Sequence, residues 1–345
     1  MFRFDWDDDS RAVAELAREF GRSAAAAERE AAEGGAVPQA LRKQAEELGL
    51  FDLSRSQDQG GLGLSALSVG HAVTALVAEA PTIATSLLLP EAGAAFGAPL
   101  SGFFADGGAG ALGYRRPAGV TLEHGRVTGR VAFTAASPEP GEGWVVAASA
   151  AGDRLCRVAP DGRELSEVPA MGLTAMRRVA ATFDGAVQEE SDFGAKERAQ
   201  LFLAYAPFFH GYGRAALHYA RGYAAERKAF GKTIGGFQAI GFLLADVAME
   251  VEAAELLWQE SAWRAAQGED VFRFAADALR TAKDAAYFAA NSCIAVLGGH
   301  GFVDDHPAER WLRDVETLSA LTGNRSALGQ ASEETAQGEE AHGVA

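Results

Sequence analysis

Glu226–Gln238 reads ERKAFGKTIGGFQ. This short glycine-containing corner lies between two helical stretches. After it, Ile240, Leu244, Val247, Val251, Ala254 and Trp258 recur at alternating steps of four and three, the period of an amphipathic helix. Arg227 would end the preceding helix beside Phe230 and Gly231, so its guanidinium can reach a phosphate across a tight backbone corner. Gln238 would open the next helix, where an amide and free backbone N–H groups can hold an anionic or polar ligand. A second unusual stretch, LGGHGFVDDHPAERWLRD, runs from Leu297 to Asp314. Its Gly298, Gly299 and Gly301 permit close approach of another backbone or a pyrophosphate. A capped helix turn with a surface arginine accounts for the first stretch alone. The two together, in this order, argue against so plain a reading.

Outward from this corner, residues from about Lys196 to Leu321 keep the helical period, with further helices expected over about 270–297 and 307–321. Toward the N-terminus, Ser10 is placed to cap a helix, Pro38 to begin another, and a long apolar helix is expected over 66–79. Between them the pattern changes. GVTLEHGRVTGRVAFT, GWVVAASAAGDRLCRVA and RRVAATFDGAV alternate Val, Thr and Phe with polar residues, which predicts a small antiparallel β unit. The expected class is therefore α+β with segregated elements. The expected units are an N-terminal helical domain (1–105), a middle β domain (106–192), a C-terminal four-helix-bundle domain (193–325) and a disordered acidic tail (326–345).

The 345 residues are 48% hydrophobic and 23% charged, with a net charge of −16. Such acidity argues against nucleic acid or an anionic membrane surface as partner, but a local arginine can still bind a small anion. Two cysteines, Cys156 and Cys293, suggest neither a disulfide framework nor a zinc site, and suit a reducing cytoplasm. The acidic start MFRFDWDDDSR does not resemble a signal peptide. Residues 80–105 are nearly uncharged but too broken by proline and glycine for a membrane span. GGLGLS lacks the lysine of a phosphate loop and is read as a turn between helices. His300 and His306 have no accompanying ligand pattern and are read as loop histidines. Trp258, Trp263 and Trp311 fall at helical spacing and are read as core. No G-x-S-x-G nucleophile elbow is present.

These residues resemble the acyl-CoA dehydrogenase family. YAAERKAFGK, FQAI, LADVAM, LGGHGF, HPAER and LRD carry the likeness from about Tyr219 to Gly323, while DQGGLGLS and ATFDGAV add weaker matches. The resemblance implies an FAD cofactor, an acyl-CoA substrate and α,β-dehydrogenation of its thioester. A glutamate of the family takes the α-proton, the β-hydrogen leaves as hydride to the flavin, and electrons pass to an electron-transfer flavoprotein. It further implies that Arg227 binds the FAD pyrophosphate of a neighbouring subunit and that Phe230 sits near the adenosine. Gln238, Gly298 and Gly299 would contact the same cofactor across a dimer, within a homodimer or homotetramer. Thr134, in VAFTAAS, resembles a β-domain hydroxyl residue that approaches the flavin.

The departures bear on the chemistry. Nine residues after Arg313, where the family carries its glutamate, stands Thr322, followed by Gly323 and Asn324. A threonine hydroxyl without an adjacent base has no useful basicity near neutral pH. The alternative glutamate position, on the first helix of the C-terminal unit, holds Leu201, with Phe202 in place of an arginine. Glu197 and Arg198 lie one turn earlier, as a displaced pair or as a solvated helix start. The flavin-wrapping loop of the family is replaced by GYRRPAG, and Ala295 stands for a glutamine. Four readings follow: a lone dehydrogenase with an unrecognised base; a base-less partner in an α2β2 assembly with a second acyl-CoA dehydrogenase subunit; a flavin oxygenase of the same fold; and a structural relic.

Overall fold

The computed structural model describes residues 8–90, 104–106, 119–135, 143–169 and 171–322. The expected tail, Gly323, Asn324 and the GYRRPA stretch lie outside them. Five helices come first: α1 (Asp8–Ala24), α2 (Glu28–Gly34), α3 (Gln39–Glu47), α4 (Ala66–Glu79) and α5 (Pro81–Leu88). Pro38 precedes α3, as its fixed φ suits a helix start. Ser65 caps α4 by accepting a hydrogen bond from the Ser68 N–H at 3.1 Å. Ser10 does not cap α1. It is buried inside the helix, and its hydroxyl lies 2.8 Å from that of Ser68. The acidic residues ahead of it extend the first turn by complementing the N-terminal dipole. DQGGLGLS forms a turn: Gly63 N–H donates to Arg55 O, and Leu64 N–H to Leu53 O, leading the chain into α4.

Seven strands follow: β1 (Phe104–Asp106), β2 (Val120–Glu123), β3 (Arg126–Ala135), β4 (Gly143–Ser149), β5 (Gly152–Val158), β6 (Arg163–Glu167) and β7 (Arg178–Asp192). Pairing runs β4-β2-β3-β7-β5 and returns from β5 to β4, so the sheet closes on itself. Its interior is Val120, Val127, Val131, Val145, Val158, Val179 and Phe183, the inward set of alternating runs. The sheet is not wholly antiparallel as expected: β4 runs parallel to both β1 and β2. Alternation within a strand fixes which face is buried, but carries no information on which strand lies beside it.

The C-terminal bundle is α6 (Ala195–Glu226), α7 (Gln238–Ala266), α8 (Phe272–Leu297) and α9 (Ala308–Leu321), with a small hairpin of β8 (Lys228–Ala229) and β9 (Lys232–Thr233) between α6 and α7. Val247, Val251, Ala254 and Trp258 of α7 are buried, as the period predicts. Both cysteines are buried free thiols, each pushed up by burial, to about 11 for Cys156 and about 12 for Cys293. Among the described residues no helix is long and apolar enough to cross a membrane.

One buried polar hub ties the helices to the sheet. Asp314 of α9 is 1% exposed. Its carboxylate accepts from the Leu173 N–H at 2.6 Å, the Thr82 hydroxyl at 2.9 Å and the Tyr212 hydroxyl at 3.2 Å. Beside it, Glu28 accepts the N–H groups of Thr82 and Ile83 at 3.1 and 2.8 Å, capping α5 from a distant helix. The turn before β7 packs directly on α9. Gly172 N–H donates to the Thr317 hydroxyl at 3.0 Å, and a Cβ at Gly172 would overlap the Arg313 carbonyl. Gly172→Ala is accordingly expected to lower unfolding free energy by about 1–3 kcal/mol, measured by urea titration.

Burial is the main cause that raises Glu28 from its usual 4.5 to about 7. The Ile83 and Thr82 N–H groups and Arg310 oppose the shift, and Asp314 adds to it. A carboxyl raised in the fold favours the protonated native state. Its contribution is full below pH 4.5 and is lost as pH rises through about 7, a change of about 3 kcal/mol. Glu28→Gln is expected to remove this slope, as read by urea unfolding at several pH values across that window.

Candidate functional site

Arg227 ends α6. Its N–H donates to Tyr223 O at 2.8 Å, and its φ of −64° and ψ of 126° turn the chain from helix to extended strand. Lys228 pairs with Thr233 and Ala229 with Lys232, so Phe230 and Gly231 form a two-residue hairpin loop. Both have positive φ, +51° and +83°, as the twist of a tight hairpin demands. Glycine adopts that conformation freely; a phenylalanine there is strained. The Phe230 ring is nonetheless 97% exposed, meeting Phe237 edge-on at 6.3 Å. Strain held at an exposed aromatic points to a role outside the chain's own core.

The Ile234 N–H donates to Arg227 O at 2.8 Å and closes the corner. Lys232 Nζ donates to Gly236 O at 2.8 Å and lies 4.2 Å from the centre of the Phe237 ring. Gln238 is the exposed first residue of α7, and no side chain caps that helix. Arg227 is exposed, and among the described residues no carboxylate pairs with it.

The glycine stretch lies at the same end of the bundle. The Tyr223 hydroxyl, one turn before Arg227, is 2.9 Å from His300 Nδ1, and the Tyr219 hydroxyl is 2.7 Å from His306 Nδ1. The two histidines are thus satisfied in the loop. They fasten it to α6, with Trp311 edge-on against Tyr219 at 5.6 Å. Gly298 has φ +59° and ψ −130°, a conformation reserved for glycine. Nothing lies within 4 Å of a Cβ built on Gly298 or Gly299. Gly301 differs: it packs on the Ile294 backbone and serves the loop's own fit. Thr134 lies on β3 opposite Val179, just past a register shift.

The positions where a base is sought are closed. Thr322 is 1% exposed, and its hydroxyl donates to Leu318 O at 2.7 Å. Its carbonyl accepts from the buried Lys283 ammonium at 3.0 Å, so the end of α9 is capped by a cation. Leu201 and Phe202 are core residues. Glu197 is not a displaced base: its carboxylate accepts the Gly194 N–H at 2.9 Å and caps α6. Arg198 pairs with Asp153 of β5 and covers the Phe193 ring. The displaced pair is thus a helix start bolted to the sheet.

Comparison with known proteins agrees with this layout. The N-terminal domain model of acyl-CoA dehydrogenases matches residues 7–100, and the C-terminal domain model matches residues 197–330. Together they cover more than half of the chain. The chain belongs to the acyl-CoA dehydrogenase family. The probable acyl-CoA dehydrogenase FadE25 of Mycobacterium tuberculosis is 39% identical over 114 residues, which is 33% of this chain and 29% of that protein. The chain therefore aligns with under a third of the length of that curated relative. Butyryl-CoA dehydrogenase from Megasphaera elsdenii has the same fold: TM-score 0.82 at 22% identity, over 97% of this chain and 100% of that one. PigA, in a structure with FAD and proline, matches with TM-score 0.82 at 16% identity over 97% and 99%.

Proposed function

We propose that this acyl-CoA dehydrogenase family member is a subunit of an FAD-dependent acyl-CoA dehydrogenase, and that its Arg227 corner completes a flavin site shared with another chain carrying the base. One contrast supports the reading most: the cofactor corner is open and strained, while the base position is buried and already hydrogen-bonded.

The donor set fits the diphosphate of FAD. Arg227 offers a planar fork for phosphate oxygens, Gln238 an amide beside the N–H groups of an uncapped helix start, and Gly298 and Gly299 room for close approach. Phe230 offers a flat apolar face to the adenosine. Bound FAD would supply a hydride acceptor for the β-carbon of an acyl-CoA thioester, with an electron-transfer flavoprotein as the onward acceptor. This chain's part is to bind and orient. Removal of the α-proton needs a carboxylate or another base near neutral pH, and Thr322 does not supply one.

Thr322→Glu tests the division of labour. The lone variant is expected to show no acyl-CoA-dependent dye reduction above background, because position 322 is packed against α9 and Lys283. Activity appearing in the lone variant would mean a self-sufficient enzyme that had only lost its base.

A further inference from the structure

The two histidines of the glycine loop are held to α6 through one ring nitrogen each, Nδ1 of His300 by Tyr223 and Nδ1 of His306 by Tyr219. The two pairs differ in setting. Tyr219 and His306 are half-buried, and His306 stands edge-on to His300 with ring centres 5.6 Å apart. His300 is exposed, as are Gly298 and Gly299 just before it. Among the described residues no side chain or backbone group bonds its Nε2. Tyr223 serves both the loop and the corner. Its hydroxyl holds His300 at 2.9 Å, and its carbonyl accepts the Arg227 N–H at 2.8 Å. One residue thus ties the outward edge of the imidazole to the arginine.

That hydrogen bond sets the tautomer of His300. A phenolic hydroxyl has one proton to give, and among the described residues Nδ1 is its only acceptor. When Nδ1 accepts, the ring proton sits on Nε2, because the bond made by one nitrogen fixes the state of the other. The exposed edge of His300 is then an N–H donor, suited to an anion and not to a cation. The acids of the same loop are directed elsewhere: Asp305 pairs with Arg29 at 3.3 Å, and Asp304 acts on Arg313. Beside His300, nothing lies within 4 Å of a Cβ built on Gly298 or Gly299, so a bulky anionic group has room to approach. We infer that His300 is a further phosphate-binding residue of the Arg227 corner, donating from Nε2 to the diphosphate, and that Tyr223 is its positioning residue. The inference rests on the shared-site reading and adds a donor that reading does not use.

The test uses the full-length chain at pH 8 and two readouts. Long-range proton–nitrogen NMR of histidine-labelled protein, assigned with His300→Ala, reads the tautomer without any ligand. His300 is expected as the Nε2–H form, and in Tyr223→Phe the Nδ1–H form is expected to appear beside it. Calorimetric titration with ADP, standing for the adenosine diphosphate half of FAD, reads binding. His300→Ala is expected to bind ADP about tenfold more weakly than wild type, equivalent to one hydrogen bond to a charged group. His300→Gln, which keeps an N–H donor there, is expected to recover most of that loss. His306→Ala loses a fastening bond of the same kind and is expected to bind as wild type does. An Nδ1–H tautomer in wild type would overturn the inference, and so would equal losses in His300→Ala and His306→Ala. ADP binding lost in Arg227→Ala but unchanged in His300→Ala would overturn it and leave the shared-site reading standing. A wild-type chain that takes up no ADP would overturn it too, and FAD retention by the assembled enzyme then tests that reading separately.

Discussion

Asp314→Ala is expected to lose about 3–5 kcal/mol of unfolding free energy. The carboxylate accepts from three buried donors that belong to three parts of the fold: Thr82 at the start of α5, Leu173 in the turn before β7, and Tyr212 in α6. Alanine leaves the Thr82 hydroxyl and the Leu173 N–H without this acceptor where water cannot replace it, while Tyr212 keeps the Pro81 carbonyl at 3.2 Å. Burial raises the Asp314 carboxyl, and those same three donors, with Arg310, pull it back toward the charged form. Asp314→Asn keeps the shape and one acceptor, and is expected to lose roughly half as much. Urea unfolding followed by tryptophan fluorescence and by far-ultraviolet circular dichroism checks both variants. A loss below about 1 kcal/mol for alanine would show that the hub is not the joint described.

Arg227→Ala is expected to weaken FAD retention by the assembled enzyme about 30- to 1000-fold, equivalent to about 2–4 kcal/mol. The guanidinium is exposed and unpaired among the described residues, so its removal has little to break within the chain. Unfolding free energy should therefore change by less than about 0.5 kcal/mol. Flavin content after gel filtration and urea unfolding, measured on the same preparation, separate the two effects. Loss of stability with flavin retained would make Arg227 a structural helix cap.

The corner was legible in the sequence because its residue types are costly elsewhere. The break between two helical runs was readable from Gly231, Gly235 and Gly236, but the hairpin was not, because Phe230 takes a positive φ that local chemistry disfavours for a phenylalanine. The period of α7 likewise placed Val247, Val251, Ala254 and Trp258 in the core. The Asp314 hub was not legible. LRD drew notice as a motif, but the aspartate's partners, Thr82, Leu173 and Tyr212, are far apart in sequence and brought together only by packing. Glu28 was hidden in an acidic helix, where nothing distinguishes a buried carboxylate from solvated ones. Glu197 and Arg198 show the converse. Their spacing admitted a displaced catalytic pair, and the deciding facts were a cap on Gly194 and an ion pair with Asp153. The parallel pairing of β4 was out of reach for a similar reason: alternation reports a strand's faces and not its neighbours.

On the proposed reading, this chain completes a flavin site without owning one. The visible absorption spectrum of the chain purified alone, with FAD per chain counted before and after incubation with added FAD, tests it most directly. The expected result is a colourless protein, far below one FAD per chain, that stays so after FAD is added and removed. A yellow protein with close to one FAD per chain, bleached by an acyl-CoA, would contradict the claim and make the lone chain an enzyme in its own right.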